Sequence, residues 1–369
     1  MTGLDLINNK VNNRIKFLSV LFILVSFCTN AQVHNKLWKS ITQSQNEKWF
    51  ASAEAVKIAE NVLLYQRNIG GWPKNIQMQK VLSDKKKKIL LDLKSDPNEC
   101  TTDNSATCQE MIFLAKIYKQ HPDERYKQAF LKGINYLLEA QYENGGWPQF
   151  FPLKEGYYSH ITYNDDSMAN ILFIFKQIKE TACFYTICPS SEVVKKVEIA
   201  FDKGIDCILK TQYKQNGELT SWCAQYDEVT LVPAKARAYE LPSLSGMESA
   251  KITLLLMSID HPNKEIVDAV EAAVRWFEKT KITGIKVERV AINGSDRNDR
   301  VVVKSQNAEP LWARFVELED NKPFFCDRDG VKKATLAEIG LERRSGYNWY
   351  PNEPIEVLNQ YQDWKTRIK

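Results

Sequence analysis

Internal repetition is the feature that most constrains how this chain can fold. The string QRNIGGWP at 66–73 recurs almost unchanged as QYENGGWP at 141–148, and a degenerate third copy occupies 212–222. The tryptophans of the three copies, Trp72, Trp147 and Trp222, are each 75 residues apart. A regular period of this kind indicates stacked supersecondary units rather than one continuous sheet.

Each copy follows a segment with helical spacing of apolar residues, which predicts helices over 53–65, 125–140 and 193–211. Each copy is typical of a segment that ends a helix: a glutamine late in the helix is followed by glycines, which can adopt positive φ, and then by a tryptophan that packs. A single helix pair cannot bury its own apolar face, so repeated pairs stack on one another. We therefore expect an all-α fold, an α/α toroid of the incomplete (α/α)3-barrel type with long loops and short strands at 285–292 and 301–304. An open helical solenoid is the alternative.

The first 31 residues are typical of a signal peptide. Lys10, Arg14 and Lys16 precede an apolar run at 17–28, and we expect cleavage after Ala31. This run has about twelve residues, whereas about 20 are needed to span a bilayer. We expect residues 32–369 to form one catalytic domain that is secreted or periplasmic and monomeric, with neither a membrane nor a nucleic acid as partner. The net charge of +4 neither indicates nor excludes a polyanionic substrate.

Seven cysteines follow position 31. An odd number in a chain of this length excludes a disulfide framework. Cys100 with Cys108, and Cys183 with Cys188, are close enough in sequence to pair. The chain has no CxxC pair and no histidine–cysteine spacing typical of zinc.

Three polar clusters each precede an apolar-periodic helix, at 102–104, 163–166 and 237–245. One interpretation is ordinary N-capping, and Ser245 with Glu248 matches a capping box. The other is functional, because equivalent helix ends of a toroid meet at one rim. There Asp103, Asn104 and Asp165 would supply hard oxygen ligands for calcium.

Arginines form the second half of the candidate site. Arg237, Arg314 and Arg328 lie in segments dense in aromatic or turn residues, where a guanidinium can bind a carboxylate in bidentate fashion. A surface salt bridge is the alternative for each. His160 is the histidine nearest to a cluster, and we interpret it as structural. No phosphate-binding loop, GxSxG or HExxH motif is present.

Taken together, eight ordered strings resemble the family 10 polysaccharide lyases, which are pectate lyases with an α/α toroid. They cover most of 50–350 and lie at 63–75, 102–107, 141–150, 157–166, 236–246, 310–315, 325–330 and 346–350. The chain departs from the family pattern at Ser105, where a glycine is expected, and at Asn68-Ile69, where Asp-Asn is frequent.

The resemblance implies calcium-dependent β-elimination of α-1,4-polygalacturonate to 4,5-unsaturated oligogalacturonides. It assigns Asp103, Asn104 and Asp165 to catalytic calcium. It assigns Arg237 the role of Brønsted base, and it assigns Arg314 and Arg328 the binding of substrate carboxylates.

An arginine base has a physical difficulty, because its ordinary pKa lies above about 12. Cationic neighbours, calcium and burial would have to lower the pKa of Arg237. We therefore expect activity to be highest at alkaline pH. A flat profile between about pH 6 and 9 would count against this expectation.

Two other functions fit the residues. A glycoside hydrolase on a similar toroid would use Asp103 and Asp165 as acid and base, and would release reducing ends without an unsaturated product. A non-catalytic polysaccharide-binding protein would use Trp72, Trp147 and Trp222 as stacking platforms and show no turnover.

Overall fold

The structure is a computed structural model that describes residues 36–294 and 298–369. The predicted signal peptide and its cleavage site lie outside these residues. The helices are α1 Trp38–Ser44, α2 Ala53–Tyr65, α3 Asp84–Asp92, α4 Cys108–Gln120, α5 Glu124–Glu139, α6 Ser167–Thr181, α7 Ser191–Thr211, α8 Gly246–Met257, α9 Lys264–Thr280, α10 Leu341–Gly346 and α11 Pro354–Arg367.

Short antiparallel strand pairs connect the helices. They are β1 Ile161–Thr162 with β4 Gln225–Tyr226, β2 Lys214–Gln215 with β3 Glu218–Leu219, β5 Ile285–Ala291 with β6 Asn298–Lys304, and β7 Phe325–Cys326 with β8 Lys332–Lys333. The strands expected near 285 and 301 are confirmed as one hairpin.

The long helices form two rows. Helices α4, α6 and α8 pack in succession along the inner row, and α2, α5, α7 and α9 pack in succession along the outer row. Each inner helix also packs against the outer helix that follows it, and α11 covers α8 and α9. The all-α toroid is thus confirmed. Among the described residues, no helix combines the length and apolarity that crossing a bilayer requires.

The repeated glutamine joins neighbouring outer helices. Gln66 follows α2 and donates from Nε2 to the carbonyl oxygens of Gly70, at 2.9 Å, and of Ala129 in α5, at 2.8 Å. The same pair of bonds recurs from Gln141 to Gly145 and Ala200, and from Gln212 to Thr220 and Ala269. The amide nitrogen of each glutamine thus has two carbonyl partners within the protein and needs no bridging water. Each corner is therefore closed by the repeat and the next outer helix.

The repeated tryptophans complete these corners. Trp72, Trp147 and Trp222 are fully buried. Each indole donates to a carbonyl of the helix before it, over 2.7–2.8 Å, namely to Val62, Leu137 and Ile208. Buried rings cannot stack on a sugar, so the interpretation as stacking platforms is wrong.

A fourth corner was not recognised from the sequence. The indole of Trp312 donates to the Phe277 carbonyl of α9 over 2.9 Å, as the other three do with their helices. The β5–β6 hairpin is inserted between the helix and this tryptophan, and backbone hydrogen bonds between Ile282 and Leu311 close its base. The insertion breaks the 75-residue spacing and so conceals the repeat.

The cysteine expectations are confirmed for one pair and wrong for the other. Cys183 and Cys188 form a disulfide, whereas Cys100 and Cys108 are free and buried. Cys100 packs against the corner at Gly71, where a Cβ atom would lie 2.8 Å from that of Cys100. Cys108 instead begins α4 beyond an intervening turn, so the two side chains serve different contacts.

Candidate active site

Two strained turns precede the inner helices α4 and α6. Asn104 has φ 51° and Asp165 has φ 52°, both in the left-handed region. Such backbone costs on the order of 1–3 kcal/mol per residue and persists where a site requires it. The turns pack against each other, and the hydroxyls of Thr102 and Ser167 are hydrogen-bonded across them at 2.6 Å. The two predicted clusters therefore form one site at the rim.

Capping does not explain the polar clusters. Thr107 and Asp166 occupy the N-cap positions of α4 and α6 without a side-chain capping bond. Ser245 likewise does not cap α8, and its hydroxyl donates to the Glu248 carboxylate. The predicted capping box is wrong because Glu248 is turned toward Arg314.

Arg314 lies at the centre of the buried part of the site. Its Nη2 is 3.2 Å from Glu248 Oε1 and 3.7 Å from Asp165 Oδ1. The same nitrogen donates to Asn164 Oδ1 over 3.0 Å, and the guanidinium lies 4.3 Å from the Tyr347 ring centre. Burial disfavours the charge, but Glu248, Tyr347 and Asp165 outweigh it, so the pKa of Arg314 is raised. Sequence reasoning found Arg314 but not Glu248.

The two aspartates differ in their partners. Asp103 is buried; its Oδ2 binds Lys74 Nζ, while Oδ1 is buried without a hydrogen-bond partner. Burial raises the pKa of Asp165, Arg314 and Arg237 oppose this, and Glu248 and Asp103 raise it further. Asp165 therefore lies within electrostatic reach of Asp103 and of both arginines.

The oxygen donors fit a calcium ion. Asp103 Oδ1 is an orphaned buried carboxylate oxygen, which a hard cation would satisfy. Asn104 is exposed and donates from its amide nitrogen to Asn75 Oδ1 over 3.1 Å. Because only the amide nitrogen of Asn104 makes this bond, its amide oxygen is available as a ligand. The three residues thus supply two carboxylates and an amide, the donor types that calcium prefers.

Arg237 has a partner that the sequence did not indicate. Its Nε and Nη2 donate to both oxygens of Glu240, over 2.7 and 2.6 Å. Burial opposes the charge, but this ion pair outweighs it and raises the pKa of Arg237. Glu240 thus favours the charged form of Arg237, and the lowering of this pKa with calcium and substrate bound stays a prediction. Tyr347 donates to Glu240 over 2.9 Å and joins this pair to Arg314.

Arg328 does not join the buried cluster. Its side chain is 67% exposed and is bound to Glu342 over 3.1 Å. Glu342 also binds Arg343, whose guanidinium covers the Tyr239 ring from 4.5 Å. Arg237 lies over the same ring at 5.2 Å, so Arg328 stands at the outer edge of the site.

His160 lies apart from these residues, with its Nδ1 hydrogen-bonded to Glu228 Oε2 at 3.0 Å. With Asp227 they make the one group of histidine, cysteine and acidic ligands in 36–294 and 298–369 that is close enough for a metal ion. Both oxygens of Glu228 already have partners in Ser159 and His160, and Asp227 Oδ1 accepts from Thr230. These bonds agree with a structural role for His160.

A helical toroid with aspartates and arginines gathered at one rim has the architecture of a polysaccharide lyase, an enzyme of the carbon–oxygen lyase class. A family model described as pectic acid lyase matches residues 66–358, and the chain belongs to this family.

Solved structures agree with this assignment. The family 10 polysaccharide lyase from Cellvibrio cellulosa is 36% identical with a TM-score of 0.76, over 89% of this chain and 95% of that one. An aspartate-to-alanine mutant of a family 10 lyase from the same organism, in complex with trigalacturonic acid, is 36% identical with a TM-score of 0.75, over 88% of this chain and 95% of that one. No curated protein sequence matches the chain.

Proposed function

We propose that this lyase is a secreted, calcium-dependent pectate lyase that cleaves α-1,4-polygalacturonate by β-elimination. The observation that carries the proposal is geometric: the turns that hold Asp103 and Asp165 pack against each other at the rim, and Arg314 lies 3.7 Å from Asp165. Glu240 and Tyr347 link Arg237 to Arg314 at the same place. The trigalacturonic acid bound by the related Cellvibrio structure supports the choice of substrate.

Asp103, Asn104 and Asp165 would hold the calcium ion. When bound, this ion withdraws charge from the substrate carboxylate and makes the neighbouring C5 proton more acidic. Lys74 binds only one oxygen of Asp103, so the other oxygen remains available as a ligand.

In the proposed reaction the neutral guanidine form of Arg237 accepts the C5 proton and becomes the guanidinium. The electron pair left at C5 forms the C4–C5 double bond as the C4–O4 bond breaks, and the departing O4 takes a proton from water. Arg314 places a buried positive charge beside Asp165. In the proposed reaction this charge stabilises the negative charge that develops on the substrate carboxylate. Arg328 would bind a substrate carboxylate at the outer edge, in exchange for its present partner Glu342.

To test the proposal, the mature protein is incubated with polygalacturonate, with and without calcium, and the ultraviolet absorbance is followed. We expect an absorbing unsaturated product that appears with calcium and stops when a chelator is added. Reducing ends without an increase in absorbance would indicate hydrolysis, and binding without turnover would indicate a non-catalytic protein. Either outcome contradicts the proposal.

The Arg237–Glu240 pair gives a pH prediction. Protonated Arg237 is stabilised by Glu240, so Glu240→Gln removes this stabilisation and the pKa of Arg237 falls. We expect the rise of activity toward alkaline pH to move about one unit lower. The measurement is the pH dependence of kcat/KM.

Glu342→Gln is the matched control, because it removes the carboxylate partner of the exposed Arg328 instead. Its pH profile should keep the wild-type midpoint. An unshifted profile for Glu240→Gln would contradict the assignment of the alkaline limb to Arg237.

A further inference from the structure

A cleft of about 190 Å³ lies between the β5–β6 hairpin and the segment 348–350. It contains none of the residues assigned to calcium, proton transfer or carboxylate binding. Its lining includes Val287, Arg289, Arg300, Asn348, Trp349 and Tyr350.

Two guanidinium groups share this cleft. Arg289 and Arg300 are directly opposite each other in the hairpin register, so their side chains leave the same face of the two strands. Like charges in such a pair are destabilising. Burial lowers the pKa of Arg300, and the charge of Arg289 lowers it further. The pair therefore favours an anion between or beside the two groups.

Neighbouring carboxylates do not serve this purpose. Asp299 is bound by Arg344 over 2.6 and 2.8 Å, and Glu288 is bound by Lys286 over 2.7 Å. Within the described part of the chain, Arg289 has no ion pair, and the guanidinium of Arg300 donates only to the Tyr347 carbonyl, over 2.5 Å. An anionic ligand would supply the negative charge that Asp299 and Glu288 do not offer to the pair.

The rest of the lining suits a sugar. Asn348 is exposed and can hydrogen-bond hydroxyl groups, and Tyr350 is half-buried with a ring that can pack against a sugar face. The cleft is also linked to the candidate active site, because Arg300 binds the backbone of Tyr347, whose ring contacts Arg314.

We propose that Arg289 and Arg300 form an outer binding site for the carboxylate of a galacturonate unit that is not the one being cleaved. This inference rests on the proposed function for the identity of the polymer. An outer site adds affinity for a long chain and leaves the chemical step unchanged, because it touches no reacting atom.

The test compares Arg289→Gln and Arg289→Gln/Arg300→Gln with the wild type. We expect the double variant to raise KM for polygalacturonate about tenfold at unchanged kcat. Kinetics on trigalacturonate should stay at wild-type values. Lys286→Gln is the charge-matched control for Arg289→Gln, since it removes one cation from the opposite face of the same strand and should leave KM unchanged.

Binding is measured separately by electrophoresis in gels that contain polygalacturonate and a chelator, with circular dichroism as the check of folding. Arginine-dependent retardation without cleavage would support the outer site while overturning the proposed lyase reaction. An unchanged KM in the folded double variant, an equal rise for Lys286→Gln, or absence of wild-type retardation would each overturn the outer site.

Discussion

Arg237→Ala is expected to lower the rate of polygalacturonate cleavage by about 10²- to 10⁴-fold, the usual contribution of a positioned general base. The loss should appear in kcat, since the neutral guanidine of Arg237 takes the proton that moves in the chemical step. Far-ultraviolet circular dichroism should remain helical, because the Arg237 side chain is 45% exposed and lies outside the helices.

Arg275→Ala serves as the matched control. Arg275 is also an exposed arginine with a carboxylate neighbour, Glu271, but it lies on the outer helix α9. Its loss should leave turnover unchanged. Near-wild-type turnover of Arg237→Ala would show that another group removes the proton.

Arg314→Met is expected to lower the free energy of unfolding by about 3–5 kcal/mol, the usual cost of removing one partner from a buried ion pair. Glu248 is fully buried, and Arg314 is its cationic partner. Without that partner, the folded protein must either hold an uncompensated charge or protonate Glu248. Urea unfolding at fixed pH measures the change.

Two further variants separate charge from packing. Adding Glu248→Gln to Arg314→Met removes the unpaired charge and should recover part of the lost stability. Arg328→Met breaks an exposed pair and should cost at most about 1 kcal/mol. If Arg314→Met unfolds within about 1 kcal/mol of the wild type, the buried pair does not stabilise the rim as described.

Local sequence signals were sufficient for much of the scaffold. Helix α2 begins and ends where its apolar spacing predicts, and α5 and α7 begin one or two residues earlier than predicted. Asp123 and Ser190 cap these two helices through their side chains, which lengthens them at the N-terminus. Such contacts lie within a few residues in sequence, so a pattern can reveal them.

Pairings between distant segments were not visible in the same way. Glu248 and Glu240 carry ordinary helix and loop sequence context, and only the fold brings them to Arg314 and Tyr347. The sequence position of Lys74 could have indicated its role, but only if the fourth corner at Trp312 had been recognised. It follows its corner tryptophan by two residues, as Arg314 follows Trp312, and both cations contact a rim aspartate.

In these corners, therefore, the atoms that close the corner are not those that contact the rim aspartates. Three corners are closed by a glutamine amide and an indole, and the fourth by an indole, each bound to backbone carbonyls. The side chain two positions after the tryptophan takes no part in this closure. In the second and third corners this position holds Gln149 and Ala224, which are uncharged. Substitutions at these two positions can therefore change the charge along the rim without removing a bond that joins neighbouring outer helices, since within the described residues none of those bonds uses their side chains.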